Sequence, residues 1–407
     1  MTPKFVFGKE KNDWIKRPLL SNIEKILDYR GRTPKKLGLS WSDTGFLALS
    51  ALNVKNGYID FNADANYGDQ ELYNRWMGDN NLHKGQVVFT TEAPMGNVAQ
   101  IPNDALYILS QRTIAFEVKH HLIREDFLAT LLRSPKIFNE LTSLSSGGTA
   151  KGISQKSLSN LKISLPASLD EQSAIGSLFR TLDDLLASYK DNLANYQSLK
   201  ATMLSKMFPK AGQTIPEIRL DGFEGEWKEK TLGSLGSVAM NKRIFKNETS
   251  ENGGIPFYKI GTFGGTADAF ISKEKFKEYK EKYPYPEIGD ILISASGSIG
   301  RTVVYNGEDA YYQDSNIVWL KHDQQLDNSY LKQYYGIIKW SGIEGTTIKR
   351  LYNKNILETK IFLPPSVTEQ QAIGTYFSNL DNLINSYQEK ISQLETLKKK
   401  LLQDMFI

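Results

Sequence analysis

Residues 163–208 read ISLPASLDEQSAIGSLFRTLDDLLASYKDNLANYQSLKATMLSKMF, and residues 361–406 read IFLPPSVTEQQAIGTYFSNLDNLINSYQEKISQLETLKKKLLQDMF. The two stretches align without a gap at a constant offset, since 361 − 163 = 198 and 406 − 208 = 198. Both keep Leu-Pro, Ser-x-x-Glu-Gln, Ala-Ile-Gly, Leu-Asp, Ser-Tyr, Leu-Lys and Met-Phe in the same register. Chance does not preserve such a register, and the repeat therefore indicates a tandem duplication.

Each copy predicts one long helix. Ser168 and Ser366 are placed as N-caps, and Glu171 and Glu369 three residues later complete capping boxes. Apolar residues then recur with 3-4 spacing for almost four heptads, which predicts a helix roughly 55–60 Å long. One apolar stripe on so long a helix favours burial against a similar helix over packing inside a single small domain. The predicted helix-pair and partner interface comprises Leu182, Leu186, Tyr189, Leu193, Tyr196, Met203, Leu380, Ile384, Tyr387, Ile391, Leu394 and Leu401.

Composition limits the class of protein. A chain of 407 residues is too long for one core and suits two domains. The absence of cysteine excludes disulfide scaffolds and cysteine-based zinc sites. The N-terminal MTPKFVFGKEKNDW has no signal-peptide core and no run is apolar enough to span a membrane, so we expect a cytoplasmic protein. With a net charge of only +4 and no basic arm, any nucleic acid would be bound through local clusters, weakly by this chain alone.

The repeat extends beyond the helices. Trp14 corresponds to Trp227, Gly85 to Gly289, and the helical pattern from 122 to the one from 326. The predicted plan is an α+β fold with globular domains at 1–162 and 211–360 and long helices at 163–210 and 361–407. Predicted strands are 46–49, 87–90, 114–118, 257–260, 291–294 and 317–320. A third capping box, Ser21 to Glu24, predicts a helix start in the first domain.

A search for catalytic residues finds none. The four histidines lack metal-ligand spacing with an acidic partner, and no phosphate-binding Gly-x-x-x-x-Gly-Lys-Ser/Thr occurs. FEVK at 116–119 imitates the strand-borne Glu-x-Lys of some nucleases, but it lacks an upstream Asp and has no counterpart in the second copy. No Asn-Pro-Pro-aromatic or Asp-Pro-Pro-aromatic tetrapeptide is present, which excludes base amino-group methylation by this chain. We therefore expect no catalytic or metal site.

Basic residues cluster on loops of both copies. Lys and Arg neutralise phosphate, and Arg can also read base edges. Each cluster alone could be a solvated loop surface, but related positions in the two copies favour contact with DNA. The candidates are Arg30, Arg32, Lys35, Lys36, Arg112, Thr149 and Lys151 in the first copy, and Lys242, Arg243, Lys246, Arg301, Thr346, Lys349 and Arg350 in the second.

Nearly the whole chain resembles the specificity subunits of type I restriction-modification systems. The resemblance rests on LPASLDEQSAIGSLFRTLDDLLASY, its copy LPPSVTEQQAIGTYFSNLDNLINSY, and IPEIRLDGFEGEWKEKTLGSL between the copies. It implies two target-recognition domains that each read half of a split double-stranded DNA target, and two helices that pair as an antiparallel coiled coil. The helices would set the gap and dock two methyltransferase subunits. It also implies S-adenosylmethionine on those subunits, ATP and Mg on a motor subunit that cleaves, where one is present, and no cofactor on this chain.

Two other classes stay open on the residues alone. One is an interaction protein that carries two carbohydrate- or peptide-binding modules on a coiled-coil bracket, which the related basic loops disfavour. The other is a self-sufficient nuclease or methyltransferase, which would need the missing motifs. No sequence pattern indicates which bases are read, because direct readout depends on loop geometry and DNA deformation. The gap length and the presence of a cleaving subunit are not indicated either.

Overall fold

The computed structural model describes residues 14–147, 151–342 and 350–406. They form two compact units: unit 1 comprises the described residues up to Asp191 together with Glu389–Phe406, and unit 2 comprises Asn192–Gln388. Both divisions fall inside long helices, so each helix contributes residues to both units. Domain boundaries at 162, 210 and 360 follow chain order and stay a prediction. Within the described ranges, no helix combines the length and apolarity needed to cross a membrane.

Unit 1 has two small sheets and one strand pair. Its strands are β1 (Ile15–Pro18), β2 (Ile23–Asp28), β3 (Phe46–Leu49), β4 (Tyr67–Gly68), β5 (Val87–Thr90), β6 (Val98–Gln100), β7 (Ile108–Leu109), β8 (Thr113–Val118) and β9 (Lys162–Leu165). Its helices are α1 (Gln70–Met77), α2 (Glu125–Leu132), α3 (Pro135–Leu144), α4 (Gln155–Ser159) and the start of α5 (Leu169–Lys206). The larger sheet has the antiparallel order β2-β8-β5-β6, the smaller has β4-β3-β7, and β1 pairs with β9.

Unit 2 repeats this topology strand for strand. Its strands are β10 (Lys228–Thr231), β11 (Gly236–Ala239), β12 (Ile255–Tyr258), β13 (Phe270–Ile271), β14 (Ile291–Ser294), β15 (Thr302–Val304), β16 (Tyr311–Tyr312), β17 (Ile317–His322) and β18 (Lys360–Leu363). Its helices are α6 (Lys273–Lys282), α7 (Asn328–Tyr335), α8 (Asn353–Glu358) and the start of α9 (Val367–Met405). The orders β11-β17-β14-β15 and β13-β12-β16 match those of unit 1, and β10 pairs with β18. The duplication and the α+β class predicted from sequence are confirmed.

The predicted helix start at Ser21 is wrong. Residues Leu19–Asn22 form one 3-10 turn, and Ile23–Asp28 continue as β2, which pairs with β8. The hydroxyl of Ser21 donates to the carbonyl of Pro18 at 2.7 Å instead of capping a helix. Ile23 and Leu27 are buried in this strand, so long-range pairing and burial outweighed a local capping signal.

The repeated Ser-x-x-Glu-Gln motif joins each long helix to its globular part. In unit 1 the hydroxyl of Ser168 accepts from the backbone N–H of Glu171 at 3.3 Å, as an N-cap should. The buried side chain of Gln172 accepts from the N–H of Arg124 at 2.9 Å and donates to the carbonyl of Leu122 at 3.1 Å. These bonds hold the loop before α2 against the first turn of α5.

Unit 2 has the same joint. Ser366 caps Glu369 at 3.2 Å, and Gln370 accepts from the N–H of Asp327 at 2.9 Å while it donates to the carbonyl of Gln325 at 3.0 Å. The glycine of Ala-Ile-Gly has a related role, because a Cβ at Gly374 would collide with Ser329.

The repeated Leu-Asp and Leu-Lys dipeptides pair the two helices. In unit 1 the carboxylate of Asp183 binds Lys398, and it also accepts from Nη1 of Arg133 at 2.6 Å. In unit 2 Asp381 binds Lys200 at 2.5 Å and Lys332 at 3.4 Å.

Further helix contacts give the direction of the pairing. In unit 1, Lys190 pairs with Glu395 at 2.7 Å, and in unit 2 the rings of Tyr196 and Tyr387 stack at 5.6 Å. Because the residue number on one helix rises as its partner's number falls, the pairing is antiparallel. Of the twelve predicted interface residues, Leu182, Leu186, Leu380 and Ile391 are buried and the other eight are half-buried.

The Met-Phe end of each long helix enters an aromatic cluster. In unit 1, Phe406 lies 5.8 Å from Trp14 and 5.9 Å from Phe127, measured between ring centres. In unit 2, Phe208 lies 6.2 Å from Trp227 and 5.5 Å from Tyr330. The correspondence of Trp14 with Trp227 thus marks one structural position, where each helix end is anchored.

Candidate nucleic-acid interface

In unit 1 four loop segments meet at one end of the larger sheet, and we call them the unit 1 tip. They are residues 28–32 at the end of β2, 91–97 between β5 and β6, 110–112 before β8, and 151–153. Because β2, β8, β5 and β6 pair antiparallel, the end of β2, the start of β8, the end of β5 and the start of β6 lie at the same end of the sheet. The N–H of Thr91 donates to the carbonyl of Arg112 and that of Ile153 to the carbonyl of Thr91, both at 2.9 Å.

The unit 2 tip is built in the same way. It comprises residues 240–243 after β11, 295–301 between β14 and β15, 313–316 before β17, and 350–351. The N–H of Ala295 donates to the carbonyl of Asn316 at 2.7 Å, and that of Leu351 to the carbonyl of Ala295 at 2.8 Å. The two units therefore present equivalent loop frames that carry different side chains.

Arg30 is exposed at the unit 1 tip and is held by Asp28. Its Nε donates to Oδ2 of Asp28 at 2.8 Å, and its Nη1 donates to the carbonyl of Ile153 at 3.3 Å. Burial acts to raise the pKa of the Asp28 carboxyl, but the hydrogen bonds from Arg30 and Gln155 outweigh it and the pKa lies below its usual value. The carboxylate therefore stays charged and orients Arg30.

The other predicted cations of unit 1 are also exposed. Arg32 donates to the carbonyl of Trp76, with its guanidinium 4.8 Å from the centre of the Tyr29 ring. Lys35 and Lys36 lie on the 3-10 helix Pro34–Leu37, which follows the tip. Lys151 is exposed at the start of the 151–153 segment.

Arg112 forms an exposed ion pair with Glu92 across the unit 1 tip. The Nε of Arg112 lies 3.0 Å from Oε1 of Glu92, and the two side chains are 59% and 46% exposed. The pair joins the segment before β8 to the turn between β5 and β6.

At the unit 2 tip the predicted arginines are anchored through polar groups. Arg243 pairs with Asp314 at 3.2 Å, and Nη2 of Arg350 donates to the hydroxyl of Ser315 at 3.0 Å. The Nη1 of Arg301 donates to the carbonyl of Phe263 at 2.8 Å. Arg301 also lines an open cavity of about 230 Å³, together with Ile260, Gly261, Ser294, Gly297 and Ser298.

The remaining candidates are less closely tied to the tips. Lys242 is exposed at the unit 2 tip, with its Nζ 5.2 Å from the ring centre of Tyr283. Lys246 lies in the 3-10 helix Lys246–Glu248, which an ion pair between Glu248 and Lys275 holds to α6. Thr149, Thr346 and Lys349 lie outside the described residues. The contacts of all these side chains with DNA stay a prediction.

Sequence reasoning missed the neutral and acidic groups of the tips. Glu92 pairs with Arg112, and Asn316 accepts from the hydroxyl of Ser296 at 2.7 Å. A search for basic residues passes over both. Their position in the sequence could have identified them as tip residues, because Glu92 and Ser296 each lie two residues after the end of a strand that is repeated in both copies.

The histidines serve local structure where their contacts are described. His83 Nε2 lies 2.9 Å from Oε1 of Glu125, and His322 Nε2 lies 2.7 Å from Oδ1 of Asn328. Within residues 14–147, 151–342 and 350–406, no three His, Cys, Asp or Glu side chains are grouped to hold a metal ion.

Comparison with known proteins places these features in a family. A family model described as the type I restriction modification DNA specificity domain matches residues 9–195 and 224–396, well over half of the chain. One similar protein is S.HindORF215P of Haemophilus influenzae, which bears the name of a type I restriction enzyme specificity subunit. The two proteins are 55% identical over 159 residues, which span 39% of this chain and 41% of that protein.

Longer alignments agree. The MjaVIII specificity subunit of Methanocaldococcus jannaschii is 23% identical over 72% of each chain. The crystal structure of a type I S subunit from M. genitalium has the same fold, with a TM-score of 0.66, 18% identity and coverage of 100% of this chain and 99% of that one. With two matched domains on one duplicated frame, this chain belongs to the type I restriction-modification specificity family, whose members recognise DNA and are not catalysts.

Proposed function

We propose that this chain reads a split double-stranded DNA target, with the unit 1 tip reading one half and the unit 2 tip the other. The observation that carries this is the pairing of equivalent loop frames with different side chains. Two equivalent frames are suited to one task performed twice. The first copy carries the charged residues Arg112 and Glu92 where the second carries the neutral residues Asn316 and Ser296. This difference is suited to the reading of two different base sequences.

We further propose that the paired helices set the distance between the half-sites. Both helices are long and continuous, 38 residues in α5 and 39 in α9. Each helix is held at both ends. The hydrogen bonds of Gln172 and Gln370 hold the N-terminal ends, and the buried rings of Phe208 and Phe406 hold the C-terminal ends. A spacer held in this way would control half-site separation as dimer geometry does in other DNA-binding proteins.

The partners are proposed to be two methyltransferase subunits that dock on equivalent surfaces of the helices. Leu199 and Leu397, which are related by the offset of 198 residues, are 37% and 45% exposed. Two matching apolar positions suit two copies of one partner. S-adenosylmethionine would be bound by those subunits, and ATP with Mg by cleaving subunits where they are present. A protein that modifies chromosomal DNA in this way would work in the cytoplasm.

The test is modification-sensitive sequencing of the host genome with and without the gene for this chain. We expect deletion to abolish methylation at one split motif that contains an adenine in each half. That result would give both half-sites and the gap. If the methylated motifs are the same in both strains while this chain and its methyltransferases are expressed, the proposed function is wrong.

A further inference from the structure

The ion pair between Arg112 and Glu92 is exposed at the unit 1 tip. Both side chains are about half exposed, and both belong to segments fixed by backbone bonds. The carbonyl of Arg112 accepts from Thr91, while Glu92 forms an isolated β-bridge with Gly152. The backbone supports are thus independent of the side-chain pair.

Stability does not account for this pair. An exposed ion pair contributes about 0–1 kcal/mol, because solvent screens it and two long side chains lose freedom. The loop frame of unit 2 is the same but has no acidic residue at the position of Glu92, where Ser296 stands. The fold therefore does not require a charged pair at this place.

The geometry leaves the useful groups open. The shortest contact of Glu92 is with Nε of Arg112, and among the described residues Nη1 and Nη2 donate no hydrogen bond, so both can donate to a ligand. Guanine offers O6 and N7 to two such donors in the major groove, and the paired cytosine offers an N4 amino group to a carboxylate. One arginine with an adjacent carboxylate complements the whole major-groove edge of a G·C pair.

Phosphate is a poor alternative partner. A carboxylate 3.0 Å from the guanidinium would be brought beside the phosphodiester, and like charges at such a distance repel. Phosphate contact is better served by lysines such as Lys151, which is exposed at the same tip.

We propose that Arg112 and Glu92 together read one G·C base pair in the half-site of unit 1. Arg112 donates to O6 and N7 of the guanine, and Glu92 accepts from N4 of the cytosine. The inference rests on the proposed function and adds a base identity to it. The neutral Ser296 and Asn316 predict that unit 2 does not read its half-site with a matching pair.

The experiment uses the full chain with its methyltransferase subunits and compares wild type with Arg112→Ala, Glu92→Ala and Arg112→Lys. Modification-sensitive sequencing should show one G·C position in one half-site that becomes degenerate in Arg112→Ala. In binding assays, wild-type complex should prefer the G·C duplex over the same duplex changed at that pair by about 5- to 150-fold. Arg112→Ala should lose this preference, and Arg112→Lys should keep only part of it because lysine cannot bind in the same bidentate way.

The matched control is Lys360→Ala. Lys360 pairs with Glu229 at 2.7 Å, and these side chains are 63% and 44% exposed, close to the values of the Arg112 pair. The control should keep the wild-type motif and affinity.

Two failures can be told apart. If wild type shows no split motif that depends on this chain, the proposed function fails. If wild type shows the motif but Arg112→Ala leaves its sequence unchanged, or weakens all sequences equally as a phosphate contact would, the G·C inference alone is overturned.

Discussion

The ammonium of Lys200 lies 2.5 Å from Oδ1 of Asp381, where α5 and α9 pair within unit 2. The equivalent residues Asp183 and Lys398 form the matching pair within unit 1. Two cross-helix pairs separated by 200 − 183 = 17 residues on α5 and 398 − 381 = 17 on α9 fix the register of the helices. The same pairs define where the helices can be shortened without losing that register.

Removing residues 188–194 and 386–392 together should shorten the gap in the DNA target. Both deletions lie between the two ion pairs and remove one heptad from each helix, so the apolar stripe stays in phase. Each helix loses about 10 Å, which corresponds to about 3 base pairs. Sequencing of the methylated motif should show unchanged half-sites with a shorter gap.

A deletion in only one helix is the control for this change. It shifts the register of Asp183 against Lys398, and we expect loss of the paired helices and of methylation. If the double deletion methylates the original motif with its original gap, the helices do not set the spacing.

Lys151→Ala should weaken binding to all DNA sequences to a similar degree. An exposed lysine at the tip suits phosphate, and each phosphate contact contributes about 0.9 to the slope of log K against log salt concentration. Titration of the methyltransferase complex at several salt concentrations should show a slope smaller by about 0.9. An unchanged slope, or a change of target sequence, would contradict a phosphate contact.

The two glutamates of the repeated Glu-Gln motif should respond in opposite ways to replacement by glutamine. Burial raises the pKa of Glu171 by more than its hydrogen bond from Trp14 lowers it. A raised folded-state pKa means that the folded protein binds the proton more tightly. The resulting penalty is absent below the ordinary value of 4.5, grows as pH rises through the folded-state pKa, and is complete above it.

Glu171→Gln should therefore raise the melting temperature at pH 8, and the gain should shrink as pH falls toward 4.5. Glu369→Gln is the comparison, because Glu369 is 1% exposed and accepts from Nε and Nη2 of Arg219 at 2.7 and 2.8 Å. Its loss leaves the guanidinium of Arg219 without a carboxylate partner, with only the carbonyls of Glu224 and Gly225 as acceptors, so the free energy of unfolding should fall by about 3 kcal/mol. A pH-independent effect of Glu171→Gln would argue against the burial account.

The sequence predicted the parts of the fold that local patterns control. Ser168 and Ser366 cap their helices, and the strands at 46–49, 87–90 and 291–294 have the predicted bounds. The wrong prediction of a helix start at Ser21 has a physical cause. Residues 23–28 form a strand because they pair with β8, which lies about ninety positions later in the chain, and no local sequence pattern indicates that partner.

The sequence predicted which basic residues belong to the candidate site, but not how they are arranged or which residues they pair with. Arg243 pairs with Asp314, and Arg112 pairs with Glu92; both partners are reached only through the fold. The equivalence of the two tips became visible from the shared bonds of Thr91 and Ala295, which are backbone contacts without a side-chain signature. The basic residues of the loops could therefore be predicted from the sequence, but their partners and their geometry could not.

Replacing Leu199 and Leu397 by glutamate should release the methyltransferase subunits. Both side chains are exposed on the long helices, and a buried carboxylate in a protein interface is strongly unfavourable. Each single variant should lose one of two methyltransferase copies, and the double variant should lose both, as measured by the mass of the purified complex. Ile288→Glu, at a position 77% exposed in unit 2, is the control and should keep both copies. Retention of two methyltransferase subunits by the double variant would place the docking surface elsewhere on this chain.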